Sequence, residues 1–96
     1  YVLTHSLFEA HYFAHDCFLE RPLLERAGRL ADVPVVIVQG QLDLVCPPAS
    51  ALALHRAVPE SRLHLVAGAG HSPNAEVVDA LVRAVDEVAG RAAVAA

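Results

Sequence analysis

Residues 33–40 are VPVVIVQG, an unbroken run of mainly β-branched residues that ends at a glycine. Such runs, without polar alternation, are typical of strands that are buried on both faces of a parallel sheet. Residues 62–66, RLHLV, alternate more and predict a second strand. Between the strands, Pro47 and Pro48 open a predicted helix that Pro59 ends. The sequence therefore predicts an α/β fold, because a strand, a helix and a strand in this order form the unit of a parallel sheet.

A glycine-rich loop and a last helix follow the second predicted strand. The loop at residues 68–72 is GAGHS, and glycine allows the backbone conformations that a tight turn needs. Ser72 or Asn74 is the expected N-cap of a helix with an apolar face, and Gly90 is its expected end. Two strands alone form at best a marginal sheet. We therefore expect further strands to come from an absent part of a larger protein.

The composition excludes several classes of protein. Of the 96 residues, 55% are hydrophobic, which is too apolar for a disordered segment. No apolar run reaches the ~20 residues of a membrane helix, and no signal peptide is visible, so we expect a cytoplasmic protein without a membrane partner. The net charge is −4 and the arginines are scattered, which argues against a nucleic-acid partner. Cys17 and Cys46 form no CxxC pair, so we expect both thiols to be reduced. Because the chain begins at Tyr1 and has no methionine, we expect it to be a piece of a longer protein. We expect no cofactor.

Two residues follow the predicted strands at positions where chemistry is expected. Asp43 lies just beyond the first strand, and His71 lies in the glycine-rich loop after the second. Ligands of open α/β sheets bind at the carboxyl ends of the strands. An acid that orients an imidazole, which then acts as a general base, supplies two of the three members of a nucleophilic triad. The alternatives are that Asp43 caps the helix after Pro47 and that His71 is a solvated loop residue.

The nucleophile of such a triad is missing from the sequence. In α/β-hydrolases the chain order is Ser, Asp, His, and the serine lies in a Gly-x-Ser-x-Gly elbow. The order of Asp43 and His71 fits, but no Gly-x-Ser-x-Gly occurs among these residues. We therefore expect the serine to lie upstream.

The sequence resembles the prolyl aminopeptidases (proline iminopeptidases), which are serine peptidases of the α/β-hydrolase fold. Residues 9–13, EAHYF, are similar to the family's ENHYF, and FLE follows at residues 18–20. Residues 36–43, VIVQGQLD, are similar to VIVHGRYD, where the family has its triad Asp, and Val45-Cys46-Pro47 continues the match. Residues 68–72, GAGHS, match the segment with the triad His. The departures are Ala10 for Asn, and Gln41 and Leu42 for Arg and Tyr.

The resemblance implies the fold and the division of the chain. It covers about residues 5–90 and corresponds to the carboxyl-terminal part of an α/β-hydrolase, with the last two strands and helices of a mostly parallel sheet. Before them, residues 5–18 and 23–30 are predicted helices. Three parts are expected: residues 1–32 as the end of a helical cap and its connection, residues 33–90 as the strand-helix-strand-helix part of the core, and residues 91–96 as a frayed tail.

The resemblance also implies roles for four residues. Asp43 and His71 are the expected triad acid and base. Glu9 is the expected anchor for the amine of a peptide substrate with amino-terminal proline, and Phe13 is expected in the pocket for the proline ring. On a continuous helix, Glu9, Phe13 and Cys17 would share one face. The alternative for Glu9 is a surface carboxylate beside a core Phe, and Cys46, which is expected near the site, could be a small buried filler instead.

Other functions stay open at this point. Another α/β-hydrolase, such as an esterase or an epoxide hydrolase, would share the strand-end Asp and His, and a catalytically silent fragment would need neither. A zinc site is a further alternative, because His11 and His15 are spaced i, i+4 and His5, Asp16 and Cys17 are close in sequence. There is no H-E-x-x-H arrangement, and His11 belongs to the family motif, so we expect no metal.

Overall fold

Two parallel strands joined by a helix form the centre of the fold. A computed structural model of the chain describes residues 1–95, and Ala96 lies outside the described residues. In chain order the elements are α1 (Val2–Ala14), a 3₁₀ turn (Asp16–Phe18), a 3₁₀ helix (Leu23–Leu30), β1 (Val36–Gly40), α2 (Pro48–Ala57), β2 (Arg62–Val66) and α3 (Ala75–Ala95). β1 and β2 pair in parallel, from Val36 opposite Arg62 to Gly40 opposite Val66. The predicted α/β fold is confirmed, with α2 as the crossover between the two strands.

β1 is shorter and less buried than the sequence predicted. It begins at Val36 rather than at Val33, although the carbonyl oxygen of Val35 already accepts a hydrogen bond from the Arg62 N–H at 2.9 Å. Pro34 has no N–H to offer a partner strand, which delays the start. The strand residues before Gly40 are half-buried rather than enclosed on both faces. Within residues 1–95, β2 is the only strand that pairs with β1.

The first helix ends earlier than expected. The predicted helix at residues 5–18 is α1, which begins at Val2 and ends at Ala14. Asp16, Cys17 and Phe18 follow with φ angles of 49°, 54° and 56°, a left-handed backbone that breaks the helix. Cys17 therefore does not continue the helix face of Glu9 and Phe13, and that expectation is wrong. The predicted helix at residues 23–30 is present as a 3₁₀ helix.

The last helix begins as expected and ends later. The side-chain Oδ1 of Asn74 accepts a hydrogen bond from the Val77 N–H at 2.9 Å, so Asn74 is the N-cap. Gly90 does not end α3, which continues to Ala95 through most of the expected tail. Arg91 Nη2 lies 2.9 Å from Glu87 Oε1, an i, i+4 ion pair that spans Gly90 and favours the helix there.

The core of the described chain is small. Val58 and Val66 are the largest fully buried side chains, and the other buried apolar residues are alanines: Ala27, Ala51, Ala69 and Ala80. Many large apolar side chains on α1 and α3 are exposed, among them Leu3, Phe8, Val82 and Val85. No described helix combines the length and the apolar character needed to span a bilayer. Four of the buried residues lie at or just beyond the carboxyl ends of the strands, where the candidate site lies: Gly40, Asp43, Val66 and Ala69.

Candidate active site

Asp43 and His71 contact each other at the carboxyl edge of the sheet. His71 Nδ1 lies 3.1 Å from Asp43 Oδ2, which is hydrogen-bond distance. Each residue follows a strand by a few positions, and the parallel pairing brings both strand ends to one edge. The side chain of Asp43 is 9% exposed, whereas that of His71 is 54% exposed. A buried acid therefore holds an imidazole that is open to solvent.

Backbone N–H groups fix the carboxylate of Asp43 in its turn. Oδ1 accepts hydrogen bonds from the N–H of Val45 at 2.9 Å and of Cys46 at 2.8 Å. The N-cap of α2 is Pro47, and no side chain caps that helix. Asp43 therefore organises the turn before α2 rather than capping the helix itself. Its second oxygen, Oδ2, stays available for His71.

The same contacts lower the pKa of the Asp43 carboxyl below its ordinary value near 3.8. The backbone N–H of Cys46 is the main cause, and the hydrogen bonds from His71 and from the Val45 N–H act in the same direction, while burial opposes them. Asp43 is therefore ionised at neutral pH and accepts the proton on Nδ1 of His71. In that tautomer, Nε2 of His71 carries the lone pair and can take a proton.

The pKa of Asp43 should be measurable by a carboxyl-carbon NMR titration. We expect a midpoint below 3.8, and a midpoint still below 3.8 in His71→Ala, because the two backbone donors remain. A depressed carboxyl pKa contributes stability that is lost as the pH falls through the folded-state pKa. The stabilising contribution of this turn should therefore be complete above about pH 4 and should decline as the pH falls below it. A midpoint that returns to 3.8 in His71→Ala would show that the imidazole, rather than the Cys46 N–H, dominates.

Gln39 supports the turn from the strand, and sequence reasoning missed it. Its Nε2 donates to the carbonyl oxygen of Cys46 and to that of Gly40, each at 3.0 Å. The backbone of Cys46 therefore bonds Gln39 through its carbonyl oxygen and Asp43 through its N–H. A polar side chain at the end of an otherwise apolar strand is the signal that could have identified Gln39.

Cys46 is exposed, so the alternative of a small buried filler is wrong. Its thiol is next to the site in sequence, but the contacts that Cys46 makes to Asp43 and Gln39 come from its backbone. The proposed pocket-lining role of the thiol stays a prediction.

Glu9 and Phe13 lie on α1, away from the Asp43–His71 pair. Within the described chain, α1 packs against the turn Asp16–Phe18 and against no strand or other helix. Glu9 Oε2 lies 3.5 Å from His5 Nε2, and both side chains are more than half exposed. Phe13 is 70% exposed. The structure therefore brings together the acid and the base, but not the two residues expected to bind the substrate.

His11, near the end of α1, and His15, just after it, take part in an aromatic cluster. Nδ1 of His15 lies 2.7 Å from the carbonyl oxygen of His11, and the His15 ring stacks on Phe18 with a centroid distance of 5.0 Å. In the part of the chain that the structure describes, no three His, Cys, Asp or Glu residues are grouped as a metal site requires. The zinc alternative thus gains no support from the geometry.

The chain is similar to known α/β-hydrolases. The family model described as "TAP-like protein", an α/β-hydrolase model, matches residues 19–87, which include Asp43 and His71 but not Glu9. The chain is 49% identical over 81 residues to a probable proline iminopeptidase of Leptolyngbya boryana. The matched region covers 81% of this chain and 25% of the relative. It is 46% identical over 89 residues to the proline iminopeptidase of Xanthomonas citri, covering 90% of this chain and 28% of the relative. The chain thus spans about a quarter of the length of these relatives.

Proposed function

This chain belongs to the TAP-like α/β-hydrolases and to the prolyl aminopeptidase family, and we propose that it supplies the triad Asp and His of a serine aminopeptidase that releases amino-terminal proline from peptides. The observation that carries the proposal is the 3.1 Å contact between His71 and the buried, ionised Asp43. The nucleophilic serine comes from a part of the whole protein outside these residues.

The geometry fits the proton transfers of such a triad. The serine oxygen attacks the carbonyl carbon of the amino-terminal proline while Nε2 of His71 takes the hydroxyl proton. When the carbon–nitrogen bond breaks, His71 returns this proton to the leaving amine, and an acyl-enzyme forms. Water then attacks the acyl-enzyme with the same proton relay, which releases free proline. Throughout, Asp43 holds Nδ1 of His71 and stabilises the imidazolium charge.

The substrate-binding residues are also part of the proposal. Glu9 binds the protonated amine of the terminal proline, Phe13 contacts the pyrrolidine ring, and Cys46 borders the pocket. The EAHYF segment supports the roles of Glu9 and Phe13, and the exposure of all three side chains leaves them free to contact a substrate. The two exposed free cysteines support a reducing, cytoplasmic location.

A chimaera tests whether this chain performs the proposed task. The matched 89-residue region of the Xanthomonas citri relative is replaced by the corresponding residues of this chain. We expect the chimaera to release proline from an amino-terminal proline amide, since this chain brings the acid, the base and the amine anchor. The 96-residue chain alone should hydrolyse neither proline amides nor aryl esters above background, because its base has no nucleophile to activate.

The outcomes separate the proposal from its alternatives. A folded chimaera that cleaves aryl esters but no proline amide would favour an esterase. A folded chimaera without either activity would favour a silent chain. Turnover by the isolated chain that His71→Ala abolishes would reveal a nucleophile within it and contradict the proposed division of the triad.

A further inference from the structure

We propose that Gly40 is a positioning residue that sets the distance between Asp43 and His71 by leaving room for the His71 loop. The catalytic part of this inference rests on the function proposed above. Gly40 is the buried last residue of β1, three positions before Asp43. Its α-carbon faces the backbone of the loop that carries His71. The observation behind the proposal is how closely that loop approaches.

A side chain at position 40 has no space. A Cβ on Gly40 would lie 2.6 Å from the carbonyl oxygen of Gly70 and 2.7 Å from that of Ala69. Cβ atoms essentially never approach other atoms to less than 3.0 Å, and both neighbours are backbone atoms that cannot rotate away. Gly40 has the backbone of a strand, which any residue can adopt, so the requirement for glycine here is one of space rather than of conformation.

Backbone hydrogen bonds also join the segment around Gly40 to the turn of Asp43 and to the loop of His71. Its carbonyl oxygen accepts a hydrogen bond from the Asp43 N–H at 3.3 Å. On the other side, the N–H of Leu42 donates to the carbonyl oxygen of Ala69 at 2.8 Å, and Gly70 directly precedes His71. A displacement of the 69–70 backbone away from Gly40 would therefore move both the turn that holds Asp43 and the loop that holds His71.

The Asp43–His71 contact tolerates little displacement. With alanine at position 40, the closest contact must open from 2.6 Å to at least 3.0 Å. The distance from Nδ1 to Oδ2 is already 3.1 Å, and a contact near 3.6 Å is no longer a hydrogen bond. We expect Gly40→Ala to lower kcat by about tenfold, with a smaller change in KM, because displaced catalytic groups act on the transition state.

Gly70→Ala is the matched control. It makes the same chemical change immediately before His71, but a Cβ on Gly70 meets nothing within 4 Å, and Gly70 has no left-handed backbone. Any effect that arises from adding a methyl group near the site should appear in both variants. An effect that arises from the close approach at position 40 should appear in Gly40→Ala alone.

The experiment uses the whole protein and two independent readouts. The first is the low-field proton NMR signal of the hydrogen bond between Nδ1 of His71 and Asp43, which does not depend on any catalytic activity. We expect the signal in the wild type and in Gly70→Ala, and a weaker signal shifted to higher field in Gly40→Ala, where the hydrogen bond is longer. The second is a double-mutant cycle for kcat: in an Asp43→Asn background, Gly40→Ala should cost less than about twofold, because the interaction it disturbs is already gone.

Each outcome decides the inference. An unshifted low-field signal in Gly40→Ala, an equal change in Gly70→Ala, or a full additional tenfold loss of kcat in the Asp43→Asn background would overturn it. A Gly40→Ala protein that does not fold would overturn it too, because Gly40 would then be a requirement for folding rather than for positioning. If the wild type shows the signal but releases no proline, the proposed function fails while the NMR comparison still tests Gly40.

Discussion

Replacing His71 with alanine, or Asp43 with asparagine, should lower the acylation rate of the whole protein by about 10⁴-fold or more and change substrate affinity much less. In the proposed triad, His71→Ala removes the group that takes the serine proton. Both losses act on the transition state, because substrate binding does not require the proton to move. Single-turnover kinetics on an amino-terminal proline amide separates the acylation rate from binding.

The Asp43→Asn variant is informative because the turn fixes how an amide would orient. The oxygen of the new amide should stay on the N–H groups of Val45 and Cys46, which now bind Oδ1 of Asp43. Its NH₂ group would then face Nδ1 of His71, where Oδ2 lies 3.1 Å away in the wild type. Two donors cannot share a hydrogen bond, so His71 would place its proton on Nε2 and lose its capacity as a base.

Matched substitutions elsewhere control for the loss of a histidine or of a charge. His64 lies exposed on β2 and Asp79 lies exposed on α3, so His64→Ala and Asp79→Asn should leave acylation within about twofold of the wild type. Acylation near the wild-type rate in His71→Ala or in Asp43→Asn would remove that residue from the triad. A comparable loss in the controls would point to general destabilisation instead.

The meeting of Asp43 and His71 could be predicted because it depends on few physical rules. The β-branched run before Gly40 and the alternating run at 62–66 predict two parallel strands, and parallel strands bring the loops at their carboxyl ends to one edge of the sheet. The role of Gly40 could not be predicted, because the carbonyl oxygens it faces belong to residues far along the chain. Packing across such sequence distances leaves no local pattern.

The helix ends show a second limit of local patterns. Gly90 is a common helix stop, but α3 continues past it to Ala95, and the Glu87–Arg91 ion pair that spans it adds a small stabilisation. No glycine or proline marks the early end of α1. The residues with left-handed backbone there are Asp16, Cys17 and Phe18. Signals for helix ends are statistical preferences, and side-chain contacts can override them in either direction.

Glu9→Gln should separate the peptidase from a general esterase, because the proposed amine anchor matters only to a substrate with a positive charge. Removing one partner of a desolvated charge pair costs ~2–5 kcal/mol, much of it from the partner left unpaired. We therefore expect kcat/KM for proline amides to fall by about 30-fold or more in the whole protein. Hydrolysis of an uncharged aryl ester by the same variant should change little, since Asp43 and His71 are untouched.

The surroundings of Glu9 in the chain define the controls. Its contact in the described chain is with His5 at 3.5 Å, and exposed pairs of this kind contribute little to stability. His5→Ala should therefore leave both substrates unaffected, as should Glu60→Gln, which removes an exposed carboxylate elsewhere. An equal loss on both substrates in Glu9→Gln would identify Glu9 as structural. Unchanged rates on both substrates would indicate that Glu9 is a solvated surface residue without a role in binding. That result would favour the esterase or epoxide hydrolase alternative, because neither reaction needs to capture a free amine.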